Sequence, residues 1–190
     1  MTFNYLLFDT DLGLFIEVLP IAVLIAVVYG IIRYRNDRKT QILRKILSCC
    51  FVCYLTGLIC LVLLLKPISA LWYLMIHGHS GGFDIRFFEW TYNFFPTISK
   101  HLTGEQVGNI FMFLPFGLLF PFFKTGAGFK STVLWGFVCS CTIEILQPIF
   151  GRAFDVNDII LNTLGVIISA LLFLILKKLF KKKENRRTLK

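Results

Sequence analysis

The chain has 190 residues, of which 56% are apolar and only 16% charged, with a mean hydropathy of +0.73. Soluble domains carry about 25% charged residues and break their apolar positions into periodic stripes, so a soluble globular fold is excluded and an integral membrane protein is expected. The net charge of +9 does not indicate a nucleic-acid partner, because it is concentrated beside the apolar segments and at the C-terminal end, where anionic membrane lipids attract it.

A helix needs roughly 20 apolar residues to cross a hydrocarbon core of about 30 Å. Five stretches approach or reach that length: 12–32, 46–65, 109–123, 131–147 and 159–176. The first has Asp9, Asp11 and Glu17 where a signal peptide would have a basic segment, so it is expected to stay as a helix. The third is short, and it is read as a crossing because of the basic residues. Between spans one and two lie Arg33, Arg35, Arg38, Lys39, Arg44 and Lys45; between three and four, Lys124 and Lys130; after five, eight more from Lys177 to Lys190. Only Lys66, Arg86, Lys100 and Arg152 fall on the other side. Short cytoplasmic loops are enriched in Lys and Arg, so five spans with the N-terminus outside and the C-terminus in the cytoplasm satisfy every segment. The expected architecture is an all-α, polytopic transmembrane helix bundle over 1–176, followed by a basic cytoplasmic tail over 177–190.

The segment 66–108 is expected on the outer side. Its apolar run from Ile68 to Ile76 and its aromatics from Phe83 to Ile98 suit the membrane interface, where Trp and Tyr concentrate, so it should roof the bundle. His77, His79, His101 and Asp84 fall in this region. Histidines one residue apart do not share a helix face, and no metal site is expected. The six cysteines, at 49, 50, 53, 60, 139 and 141, lie in or beside spans and read as small apolar packing residues.

Polar side chains within the spans are more informative, because an ionisable group in hydrocarbon is costly and tends to face the bundle interior. Glu144 lies deep in span four, and Gln147, three residues on, shares its helix face. Pro148 ends or kinks that helix, and Gly151 and Arg152 make a turn. Span five then opens with Asp155, Asp158 and Asn162, spaced three and four apart and so again on one face. Helix capping accounts for Asp155 and Asp158 as well as function does, since acids at a helix N-terminus are favourable. It does not account for Glu144 or Gln147, near a helix C-terminus, or for Asn162, a turn too deep. Asn109 opens span three, and Pro115 and Gly117 within it should bend the helix and bare a carbonyl. The expected ligand-binding set is therefore Asn109, Glu144, Gln147, Arg152, Asp155, Asp158 and Asn162, with Glu144 and Asp158 the candidates for any acid–base chemistry.

Asn93-x-x-Pro96, Asn109-x-x-x-Phe113-x-Pro115-x-Gly117, Glu144-x-x-Gln147 and Arg152-x-x-Asp155-x-x-Asp158-x-x-x-Asn162-x-x-Gly165, in that order, resemble the motif series of the VanZ-like membrane proteins. Thr97 and Ser169 depart from that series, in place of an aromatic and a glycine. The resemblance implies a small polytopic protein of the bacterial cell membrane, in a family whose named member is associated with low-level resistance to the glycopeptide teicoplanin. It implies no cofactor and no particular reaction.

Three functions fit these residues. An outer-leaflet pocket could engage an amphiphilic envelope molecule, a lipid-linked cell-wall precursor or a lipoglycopeptide, among the membrane lipids. A carboxylate could serve as general acid or base in a hydrolase or transferase acting on a lipid, with Arg152 holding an anionic group. Intramembrane Glu and Asp could also relay protons in a transporter, which five spans without a visible repeat disfavour.

Overall fold

The structure is a computed structural model that describes residues 11–36, 40–79, 87–88, 91–97 and 103–188. Six helices run Asp11–Asn36 (α1), Ile42–Leu63 (α2), Leu65–His77 (α3), Gly104–Phe123 (α4), Phe129–Leu146 (α5) and Val156–Thr188 (α6). All but α3 are long and apolar enough to cross a membrane. A 3-10 turn, Gln147–Phe150, follows α5, and two short strands, Tyr92–Asn93 (β1) and Phe154–Asp155 (β2), pair in parallel.

The expected third span is longer than its apolar core suggests. Thr103 accepts a hydrogen bond from the Gln106 amide, and the Gln106 side chain accepts one from the Thr103 amide. This capping box satisfies two otherwise orphaned N–H groups and starts α4 five residues before Asn109, so α4 reaches 20 residues. Pro115 and Pro121 both lie inside it. The Met112 carbonyl, just ahead of Pro115, accepts from the Tyr54 hydroxyl at 2.7 Å. At its other end the Pro121 and Phe122 carbonyls accept from Arg44 of α2 at 3.2 Å each. A cation over the last carbonyls of a helix is favourable.

The core joins α2, α4, α5 and α6. Phe51, Leu58, Phe113, Phe116, Phe120, Ile143 and Val166 form one buried cluster, in which Phe51 meets the Phe116 and Phe120 rings edge-on at 5.3 and 5.7 Å. Helix α6 runs against α4 and α5, and glycines let it approach. A Cβ at Gly117 would meet Ser169 Oγ, and would lie 2.7 Å from the Val166 oxygen; one at Gly165 would collide with the Ile110 carbonyl. Close backbone contact at small residues is a principal way for helices to associate in lipid, where water supplies no driving force. Ser169, one of the two departures from the family pattern, turns its hydroxyl back to the Gly165 carbonyl at 2.8 Å and so fits against Gly117.

Helix α1 packs on α2 and α3, through Val18, Cys60 and Ile68. Helix α3 falls in the segment expected to lie at the outer interface, and within it the chain is ordered as a helix docked on α1. The end of α1 and the start of α2 lie beside the end of α4, through Tyr29 against Phe123 and Arg44 against Pro121. Lys177 of α6 borders the α4–α5 turn. The basic segments are thus gathered at one end of the bundle, and the acidic and amide residues occupy the other. Beyond the apolar part of α6, the stretch expected as a tail continues the same helix to Thr188.

Candidate functional site

At the end opposite the basic residues the helices enclose a cavity of about 430 Å³. Its polar wall is built by Asn109 of α4, Glu144 of α5, Gln147 and Arg152 of the connecting turn, and Asp158 and Asn162 of α6. Six of the seven residues expected to form a binding site therefore line one space.

Local geometry explains how they converge. Gly151, in the left-handed region at φ 75°, ends the 3-10 turn at a conformation that side-chain-bearing residues adopt rarely. The reversal carries the chain from α5 into β2, which β1 pins from outside. The Asp155 amide then donates to Glu144 Oε2 at 3.2 Å, so the carboxylate of α5 closes the turn leading into α6. Glu144 is 1% exposed. Asn162, 4% exposed, donates through Nδ2 to Ser140 Oγ at 3.0 Å, while its Oδ1 has no hydrogen-bond partner among the described residues. Asn109 Nδ2 donates to Asp158 Oδ1 at 2.6 Å. Arg152 Nη1 donates to the Val62 carbonyl at 3.3 Å, tying the turn to the end of α2.

Asp155 stands apart from the other six and is not in the cavity lining. Its Oδ1 accepts from the Asn157 amide at 2.8 Å, the local bond by which an Asp caps a helix start. Of the two acids that capping could explain, it explains this one, while Asp158 faces the cavity. Asn157 itself is paired with Thr97, accepting from its amide at 2.9 Å and donating to its hydroxyl at 3.1 Å. The second departure from the family pattern thus clips the segment after β1 to the first turn of α6.

Sequence reading missed the opposite wall. Leu14 and Phe15 of α1, Leu61 and Val62 of α2, and Leu65 of α3 complete the cavity, and apolar residues in an apolar span carry no signal that separates lining from lipid contact. Ser140 was legible, since it lies four residues before Glu144 and so on the same helix face. Glu17 also has a larger place than its use against a signal peptide suggested. It is fully buried, its Oε2 accepts a hydrogen bond from Ser69 of α3, and Trp72 Nε1 donates to its backbone carbonyl at 2.9 Å.

The histidines behave differently from their spacing. Gly78, at φ 74°, ends α3 and folds His79 back, so that His77 stacks on Tyr73 with centroids 4.1 Å apart and His79 meets the same ring at 5.5 Å. Asp84 and His101 lie outside the described residues.

Five membrane-length helices around a cavity with carboxylates, amides and a guanidinium on one wall define a multi-pass membrane protein with a polar internal site. The chain belongs to the VanZ/LLP1 family, whose family model matches residues 51–177. That range holds every cavity-lining residue except Leu14 and Phe15. Over 62 residues the chain is 40% identical to Protein VanZ of Enterococcus faecium, a match covering 32% of this chain and 38% of that protein. The matched part is thus less than half of that relative. No solved structure matches the chain.

Proposed function

We propose that the cavity engages the head of an amphiphilic cell-envelope molecule, a lipid-linked cell-wall precursor or a lipoglycopeptide, and that this contributes to teicoplanin resistance. The observation that carries the reading is the cavity's two-sidedness: Asn109, Glu144, Gln147, Arg152, Asp158 and Asn162 on one wall, Leu14, Phe15, Leu61 and Leu65 on the other. Sites that bind small molecules combine apolar walls with a few convergent polar groups, and an amphiphile presents both. Family membership and the similarity to Protein VanZ support the link to resistance.

The basic end is assigned to the cytoplasm and the cavity to the outer leaflet, in keeping with the bias of Lys and Arg toward cytoplasmic loops. A C-terminal reporter fusion that is active only in the cytoplasm checks this, and activity only outside reverses it. For the function, cells carrying Glu144→Gln, Asp158→Asn or Arg152→Ala are tested for teicoplanin protection at matched membrane levels. Protection is expected to fall in each; full protection in all three removes the cavity as the agent.

A second reading is favoured by one feature, two carboxylates and an arginine on the same wall, the groups that a hydrolase or transferase uses for proton transfer and anion binding. Incubating purified protein with labelled lipid-linked precursors and resolving products by mass spectrometry separates the two. Unchanged substrate leaves binding as the function.

A further inference from the structure

Two helices on opposite sides of the cavity, α1 and α4, do not share a packed seam. Helix α1 packs on α2 and α3, whereas α4 packs on α2, α5 and α6. The cavity fills the cleft between α1 and α4, lined from one side by Leu14 and Phe15 and from the other by Gly108, Asn109 and Met112. Two of these residues mark its rim. Phe15 is 61% exposed, and a Cβ built on Gly108 meets no atom within 4 Å. The cleft is therefore open sideways between two membrane-length helices, and what lies beside such helices is lipid chain.

The polar wall holds donors as well as acceptors, the donors on Asn109, Gln147 and Arg152, but its one buried side-chain atom without a partner among the described residues is an acceptor. Glu144 Oε2 accepts from the Asp155 amide and Asp158 Oδ1 from Asn109 Nδ2, so both acids stand in the wall as hydrogen-bond acceptors. Asn162, which lines the cavity, carries a third acceptor in Oδ1, buried and without a partner among the described residues. Buried acceptors left unpaired are costly. An occupant that donates to them removes that cost, and one that carries only acceptors does not.

Building on the reading that the cavity binds an amphiphile, we propose that its ligand enters laterally between α1 and α4, seating an alkyl chain against Phe15 and Met112 while an amine or sugar hydroxyl donates to Glu144, Asp158 and Asn162. At about 430 Å³ the cavity falls within the range of small-molecule sites, roughly 300–1,000 Å³. It accommodates one sugar-sized head and the first carbons of a chain, with the remainder of the chain in the bilayer. Gly108 is open in this scheme because the chain passes beside it.

Photolabelling tests the proposal on the full chain in phosphatidylcholine nanodiscs. The probes are three amphiphiles with the same diazirine-bearing chain: an alkyl glucoside, an alkyl amine and an alkyl phosphocholine, whose head has no donor. Glucoside and amine should label Phe15 and Met112 saturably, with the phosphocholine about tenfold weaker, the factor expected for losing one hydrogen bond to a buried acceptor. Gly108→Trp, or Met112→Trp if the first variant lacks a cooperative thermal transition, should block the cleft and reduce labelling by about the same factor. Labelling that survives the blocking variant but disappears in Glu144→Gln and Asp158→Asn overturns the lateral route and leaves the cavity as the binding site. Equal labelling by the phosphocholine overturns the donor-head requirement, and labelling indifferent to every substitution overturns both this proposal and the binding function.

Discussion

Asn109 of α4 donates to Asp158 of α6 across 2.6 Å, and that bond joins the two helices on the polar wall of the cavity. It separates structural from functional roles for the same carboxylate. Asn109→Ala removes the donor and should lower stability by about 0.6–2 kcal/mol, the range of interhelical hydrogen bonds in membrane helices. Asp158→Asn keeps an oxygen that can accept, so it should stay within about 0.5 kcal/mol while teicoplanin protection falls. Thermal unfolding in detergent, run beside drug susceptibility, measures both. Equal loss of stability in the two variants would make Asp158 a structural residue.

Asp155 provides the converse case. Its carboxylate caps α6 through the Asn157 amide and lies outside the cavity lining. Asparagine and serine cap nearly as well as aspartate, whereas alanine loses about 0.5–2 kcal/mol. Asp155→Asn and Asp155→Ser should therefore retain both stability and protection, and Asp155→Ala should lose stability. Loss of protection in a stable Asp155→Asn protein would return Asp155 to the binding set.

The glycines of the α4–α6 and α5–α6 seams should resist a single methyl group. At Gly165 a Cβ runs into the Ile110 carbonyl, and at Gly136 it comes within 2.7 Å of the Val166 methyls. Overpacking of this kind costs about 1–3 kcal/mol. Gly165→Ala meets rigid backbone and should have no simple rescue, while Gly136→Ala should be partly rescued by Val166→Ala, which frees the volume. The double-variant melting temperature decides it; strict additivity would contradict the steric account.

Glu17 and Ser69 form a buried pair between α1 and α3. Ser69→Ala leaves a buried oxygen without its donor and should cost about 1–3 kcal/mol, whereas replacing both partners by apolar groups can be nearly neutral. Glu17→Leu combined with Ser69→Ala is thus expected to be more stable than Ser69→Ala alone. Unfolding measurements on the two single variants and the double variant complete the cycle.

The spans and most of the polar wall were legible in the sequence because both rest on local rules. Runs of apolar residues reach membrane length by counting, and Glu144 with Gln147, or Asp158 with Asn162, share a helix face by their spacing. The turn at Pro148 and Gly151 required no more than adjacency to bring those faces together. Even the start of α4 was written locally, in the capping box at Thr103 and Gln106, although an apolar count passes over it.

What depended on the tertiary structure was everything that relates distant segments. Asp155 and Asp158 are equivalent by sequence, both acids at a helix start. Only the approach of Asn109, 49 residues away, shows which one faces the cavity and which one serves the cap. The apolar wall is likewise invisible in the chain, because Leu14, Phe15 and Leu65 are chemically indistinguishable from residues that face lipid. In a membrane the hydrophobic pattern no longer separates inside from outside, since lipid is as apolar as a protein core. The sequence alone therefore determined the number of membrane-length helices and the chemistry of one wall. The packing of α1 on α2 and α3 decided that this wall faces an apolar one across a cavity.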